Sequence, residues 1–242
     1  AFNIQNDLLN RQEIRRAISY SIDKNNIISN VYQNKYYTSS FPLDFGSWVY
    51  QEQDSSAGYN PDQANQLLTE NGWVFRNGYW QKTENYKTKK IELNFIVKAS
   101  NSNQIAVAEN IKTQLASQGI IINVQQYSDE QYNLALQNKS YDMILCGMNL
   151  SPNPDMSMFF GDNNLANYNT EEISNIMDEV KNTTDESKIK EDYSRLAEIY
   201  KNDIPYISLY TNKQTIAYNT SLAGEIKSNW FNPFCGIETW YK

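Results

Sequence analysis

Ile91-Glu-Leu-Asn-Phe-Ile-Val97 places apolar side chains at 91, 93, 95 and 97 against Glu92 and Asn94, the period of a β-strand with one buried face. Ile105, Ala108, Ile111 and Leu115 follow at helical spacing up to Gly119, and Ile120, Ile122 and Val124 alternate again. A strand, a helix and a second strand with short connections form a βαβ unit, which predicts parallel strands and a right-handed crossover. Ser128 and Gln131 have the spacing of a capping box, so a further helix returns the chain to Tyr141. Met143-Ile-Leu-Cys146 is then too short for a typical helix, is closed by Gly147, and reads as a buried strand at the centre of a sheet. The middle of the chain is therefore α/β, a sheet flanked by helices.

Met148-Asn-Leu-Ser-Pro-Asn-Pro-Asp155 carries two prolines and two asparagines, so it cannot continue the ladder and must form a loop at the carboxyl end of that strand. Ligands collect at such ends in open α/β sheets. Met148, Asn149, Leu150, Ser151, Asn153 and Asp155 are the candidate binding residues there, and an ordinary strand-to-helix connection is the competing reading. Residues 34–59 show no sustained periodicity yet hold Tyr36, Tyr37, Phe41, Phe45, Trp48, Tyr50 and Tyr59. Long loops are functional or disordered in most cases, and disordered segments are poor in aromatics. Tyr36, Trp48 and Tyr50 are candidates for ligand contact, while fastening the loop to the core explains each ring equally well.

Elsewhere, Asn10 with Glu13 predicts a capped first helix, Asp23 a second, and Asn60 followed by Pro61 a third that stops at Gly72. Asn77-Gly78 reads as a hairpin turn. Thr170 and Asp185 cap two helices of a helical hairpin, and Ile204 to Tyr210 and Thr215 to Tyr218 read as strands.

The 242 residues include 21 basic and 28 acidic side chains, a net charge of -7, with no run of Lys or Arg, which argues against a nucleic-acid partner. No apolar run approaches the ~18 residues of a membrane span, and the first residues do not resemble a signal peptide, so the chain reads as a soluble piece of something longer. Cys146 and Cys235 lie far apart with no indicated disulfide. Histidine is absent, which removes the commonest general base and zinc ligand; no metal or cofactor site emerges. Carboxylate-only glycoside hydrolysis by two of Asp142, Asp155 and Asp162 would need paired acids for which the sequence gives no sign. A carbohydrate-binding module is a third reading, because exposed Trp and Tyr rings suit sugar faces.

Taken together the segments resemble the C-terminal half of the family 5 extracellular solute-binding proteins, the oligopeptide- and dipeptide-binding components of ABC importers. The resemblance rests on Arg11-Gln-Glu-Ile-Arg-Arg-Ala-Ile-Ser-Tyr-Ser-Ile-Asp-Lys24, on Tyr59-Asn-Pro-Asp-Gln-Ala64 through Leu67-Leu68 to Gly72-Trp73, on Gln114-Leu-Ala-Ser-Gln-Gly-Ile120, on Tyr141-Asp142-Met143 and on Asp203-Ile-Pro-Tyr-Ile-Ser-Leu-Tyr210. It implies a type II, two-lobed periplasmic-binding-protein-like fold without enzymatic activity. Such a protein closes around a peptide or other small solute and hands it to permease subunits. It implies that residues 1–205 form the second lobe and that 206–242 supply strands returning to a first lobe outside this chain. It also implies a monomer held by a lipid anchor at the outer face of the cell membrane, or free in the periplasm. Where the family's peptide binders have Trp and, three positions later, an Asp that receives the peptide amino group, this sequence has Met148 and Ser151. Asp155 is the candidate substitute for that acid.

Overall fold

The computed structural model describes residues 1–43, 47–49, 58–150, 155–213, 215–228 and 232–242. In chain order the elements are α1 (Gln12–Tyr20), α2 (Lys24–Tyr32), β1 (Tyr36–Thr38), α3 (Pro61–Glu70), β2 (Val74–Arg76), β3 (Tyr79–Glu84), β4 (Lys87–Lys90), β5 (Glu92–Lys98), α4 (Ser102–Ser117), β6 (Ile121–Tyr127), α5 (Asp129–Asn138), β7 (Met143–Ile144), α6 (Ser157–Phe160), α7 (Glu171–Asn182), α8 (Glu186–Asp203) and β8 (Tyr210–Asn212). A short 3-10 turn, Ile237–Thr239, lies near the end. No helix among the described residues is long and apolar enough to cross a membrane.

The βαβ reading holds: β5 pairs in parallel with β6 and with β7, in the order β6-β5-β7. Because successive side chains on a strand point to opposite faces, β5 serves two cores. Leu93, Phe95 and Val97 share one cluster with Val107, Ala108, Ile111 and Leu115 of α4, while Ile96 joins Ile144 and the α5 residues Tyr132 and Ala135. The chain's first residues make the sheet mixed. Phe2 bridges antiparallel to Met143, and the Asn3 amide donates to the Asp142 carbonyl at 2.9 Å.

Most helix starts are those the sequence marks. Asp23, Asn60, Asn101, Thr170 and Asp185 accept from main-chain amides of the turns they open, and Ser128 and Gln131 form the reciprocal capping box. Helix α1 departs from expectation. Its N-cap is Arg11, without a side-chain bond, because the carboxamide of Asn6 accepts from the Leu8 and Leu9 amides and places Asn10 inside an earlier turn. Arg11 itself is drawn sideways into a two-pronged pair with Glu84 at 2.9 and 2.6 Å.

The Asn77-Gly78 hairpin is present as β2 and β3, and β4 extends it to an antiparallel meander that the sequence reading lacked. Gly119 ties this meander to the βαβ unit: its φ is +74°, and a Cβ there would lie 2.4 Å from the Phe75 ring.

The strand expected at Ile204 to Tyr210 is mostly irregular. Ile204 ends α8 in the left-handed region (φ 46°), Pro205 has no N–H to give a ladder, and the Ser208 amide donates to the Tyr200 hydroxyl at 2.8 Å instead. Only Tyr210–Asn212 pairs, antiparallel to β1, and Thr215 to Tyr218 form no strand.

Helices α6, α7 and α8 build a second core around Phe159, Phe160, Ile173, Ile176, Leu196 and Tyr200. Asn164, 2 % exposed, organises the turn beside it. Its amide donates to the Gly161 and Tyr168 carbonyls at 2.8 and 2.6 Å, and its Oδ1 accepts from the Ala166 and Tyr168 amides, both at 3.1 Å. Replacing it by an apolar group of similar size leaves several buried partners unpaired. Asn164→Leu is therefore expected to lower the unfolding free energy by about 3 kcal/mol in urea denaturation. A loss below about 1 kcal/mol would show that the turn holds itself without this side chain.

Candidate functional site

The carboxyl ends of β5 and β7 open into a cavity of about 570 Å³. Phe95, Met143, Ile144 and Leu145 form its floor, because the sheet delivers them there. Asn101, Asn103 and Gln104 line it from the start of α4. That helix must begin at this edge because it follows a parallel strand. Residues 146–150 and 206–212 form further walls.

Tyr32, Tyr36 and Tyr210 make an aromatic corner. Their ring centroids are 4.1, 4.9 and 5.4 Å apart, and the hydroxyls of Tyr32 and Tyr210 are 2.9 Å apart. Burial raises both hydroxyls above the ordinary tyrosine range, so the pair stays neutral at physiological pH. The pairing of β1 with β8 assembles this corner from residues far apart in sequence.

The edge is pinned further by Ser39, whose amide donates to the Leu209 carbonyl at 3.2 Å and whose hydroxyl accepts from Ser208 at 2.6 Å. Lys24 donates to the Ser39 carbonyl at 2.8 Å. Tyr206 joins the cavity to the second core, with its hydroxyl 3.0 Å from both Asn164 Oδ1 and the Phe159 carbonyl.

The main chain leaves the sheet here. The Leu145 amide makes the last ladder bond, to the Ile96 carbonyl at 3.1 Å, and the Leu145 carbonyl accepts the Tyr132 hydroxyl at 2.7 Å. From Cys146 to Leu150, the amides, the carbonyls and the Asn149 side chain have no hydrogen-bond partner among the described residues. No side chain lining the cavity among the described residues is charged.

Of the residues singled out in the sequence, Met148, Asn149, Leu150 and Tyr36 come together on this cavity. Trp48 is 45 % exposed, sits 5.7 Å from the Lys190 ammonium and is not among the lining residues. Asp155 is also outside the lining: its carboxylate accepts from the Ser157 amide at 2.9 Å, and hydrogen bonds from Ser157 hold it below the ordinary carboxylate range. Tyr50, Ser151 and Asn153 lie outside the described residues. Asp142 accepts from Asn6 and from the Asn94 amide at the opposite end of β7, and Asp162 from Asn169. No group of three or more His, Cys, Asp and Glu able to hold a metal occurs among the described residues.

Sequence reasoning missed Tyr32, Tyr210 and the amides of α4. The α4 residues carried a usable signal, since Asn101 caps a helix directly after a parallel strand. Tyr32 and Tyr210 carried none without the β1–β8 pairing.

The chain matches the bacterial extracellular solute-binding proteins, family 5 Middle, over residues 1–169, and it belongs to that family. It is 27% identical over 180 residues to the heme-binding protein A of Haemophilus influenzae, covering 72% of this chain and 31% of that protein. It is 26% identical over 237 residues to the peptide transport periplasmic protein SapA of the same species, covering 93% of this chain and 40% of that one. The chain thus spans less than half the length of these relatives. The oligopeptide-binding protein AppA from Bacillus subtilis, solved with a nonapeptide, superposes with a TM-score of 0.81 at 23% identity, over 99% of this chain and 49% of AppA. The fold is accordingly that of one part of a two-lobed solute-binding protein.

Burial lowers the pKa of Lys24 to about 8 from an ordinary 10.5. Below pH 8 both folded and unfolded states carry the proton, and burial of the ammonium opposes folding in full. Between about 8 and 10.5 the unfolded state binds more protons, so this contribution to stability rises with pH. The unfolding free energy of the wild type minus that of Lys24→Met should therefore increase from pH 7.5 to 9.5 in paired urea titrations. A flat difference would place the ammonium in water.

Proposed function

We propose that this chain forms one wall of an extracytoplasmic receptor that captures peptides for an ABC-type importer and delivers them to its permease subunits. The observation that carries this reading is the run of unspent main-chain donors and acceptors at 146–150 along the cavity. An extended peptide laid beside it supplies the partners that the sheet does not, and the apolar floor and tyrosine corner receive its side chains. Family membership supports solute binding, and the peptide named with AppA and with SapA supports the ligand class.

On this reading residues 1–205 are the second lobe and 206–242 return toward a first lobe that closes over the ligand. The whole protein works as a monomer at the outer face of the membrane or in the periplasm. The chain is a binder and not an enzyme, a reading supported by the roles of Asp142, Asp155 and Asp162, each engaged with an amide. A carbohydrate is the second reading, favoured by the Tyr32, Tyr36 and Tyr210 rings beside uncharged Asn and Gln amides.

Two outcomes follow. In calorimetry against one peptide mixture, this chain should bind about 100-fold or more weakly than a protein carrying both lobes, because burial from two sides supplies most of the affinity. Equal affinities would locate the whole site in this chain. A glycan array that gives saturable binding where peptides give none would favour the second reading. Chromogenic peptides and glycosides should show no turnover above buffer, and turnover abolished by Asp155→Asn would make the protein an enzyme.

A further inference from the structure

We propose that the β3–β4 hairpin and the open face of its meander form a docking surface for an anionic lipid bilayer, with Tyr86 and the lysines beside it as the contact. The proposal is independent of what the cavity binds.

Charge is unevenly placed along the chain. Residues 74–90 hold five of the 21 basic and one of the 28 acidic side chains, so this segment carries +4 within a chain of net charge -7. Its one acid is engaged, since Glu84 is shared by Arg11 and Lys82 at 2.6 and 3.1 Å. Lys89 stands 3.7 Å from Asp7, and Glu92 at the start of β5 accepts from Asn123 at 3.0 Å. Arg76, Lys87 and Lys90 are exposed and have no ion pair among the described residues. Strand register puts Arg76, Tyr79, Gln81 and Lys90 on one open face, with the Lys90 ammonium 4.1 Å from the Tyr79 ring.

The hairpin tip points the same way. Asn85 and Tyr86 both have positive φ, 50° and 61°, as a tight two-residue loop requires. Glycine suits the second of these positions because a Cβ is strained there. Tyr86 occupies it instead and is 105 % exposed, so no packing within the chain compensates for the strain. A ring with a polar tip, held in water between basic residues, suits a headgroup layer.

The meander is fixed at the amino ends of β5 and β6, because the Trp80 amide donates to the Gly119 carbonyl at 3.1 Å and the Ile91 amide to the Trp80 carbonyl at 3.2 Å. The cavity lies at the carboxyl ends of β5 and β7, so contact through the hairpin leaves it open. Lysines also keep a bare sheet edge from pairing with another chain. That role accounts for the charges of β4 but not for Arg76 on β2 or for Tyr86. Four of the five cations are lysines, which protein interfaces deplete while favouring arginine. A fluid layer of phosphates needs no fixed partner geometry, only several cations close to one surface.

The test is flotation of this chain with phosphatidylcholine vesicles that either contain or lack phosphatidylglycerol. Partition should require phosphatidylglycerol and fall about tenfold or more as salt is raised to about 0.5 M. Lys87→Gln with Lys90→Gln should lower it about tenfold or more, whereas Lys188→Gln with Lys201→Gln on α8 should leave it within about twofold. Tyr86→Gly relieves the turn, so the urea midpoint should not fall, yet partition should drop about threefold. Equal partition onto phosphatidylcholine alone, or equal loss with either lysine pair, overturns the proposal. No partition at low salt also overturns it and would leave the face to an acidic protein. Partition of Tyr86→Gly at the wild-type level would overturn the contact assigned to the ring.

Discussion

Strand β7 pairs with β5 at only two positions, and the main chain then parts from its neighbour. The site depends on that separation. A parallel strand buried on both faces can satisfy its backbone only through adjacent strands. On one side of β7 the antiparallel contact comes from the chain's own first residues, and on the other β5 turns away into α4. After the Leu145 amide reaches Ile96, no described group takes over the ladder. What remains is an edge along the cavity whose main-chain polar groups have no partner among the described residues.

Around this edge the structure relies on buried polar junctions more than on extra apolar packing. Asp142, at the entry to β7, gathers Asn6 and both the amide and the side chain of Asn94. Arg15, 4 % exposed, donates to the Leu9 and Asp203 carbonyls and joins the start of α1 to the end of α8. Burial disfavours its charge and lowers its pKa, which makes those two carbonyls obligatory partners. Asn164 and Tyr206 do the same between the second core and the cavity. Such networks are costly when incomplete and specify one arrangement when complete. They place three distant segments, 1–4, 141–145 and 204–209, side by side with the Phe2 amide on Pro205 and the Ile4 amide on Ala166.

The engaged state of the charges also explains the chemical character of the cavity. Acids near it are occupied with amides and hydroxyls, and lysines with carbonyls and rings. The side chains left on the lining among the described residues are uncharged, and the Ala1 ammonium beside them donates to the Ile144 carbonyl at 2.8 Å.

The sequence by itself determined the local structure wherever the signal was periodic or capped: Ile91–Val97 as a strand, α4 up to Gly119, the Ser128–Gln131 box, and helices at Asn60, Thr170 and Asp185. These follow from side-chain period and from short-range bonds between an oxygen and amides two or three residues on. It also located one wall of the cavity, because the apolar run closed by Gly147 marks the carboxyl end of a buried strand. Tertiary structure decided the rest. Asn6 displaced Asn10 as the side chain closing the turn before α1, and Ile204 in the left-handed region broke an expected strand. The tyrosine corner needed β1 to meet β8 across more than 170 residues. Asp155 was a candidate by its place in the loop, and the fold gave its carboxylate to Ser157. Long-range pairing and the final partner of each charge depend on which surfaces the whole chain buries together, and no local pattern encodes that.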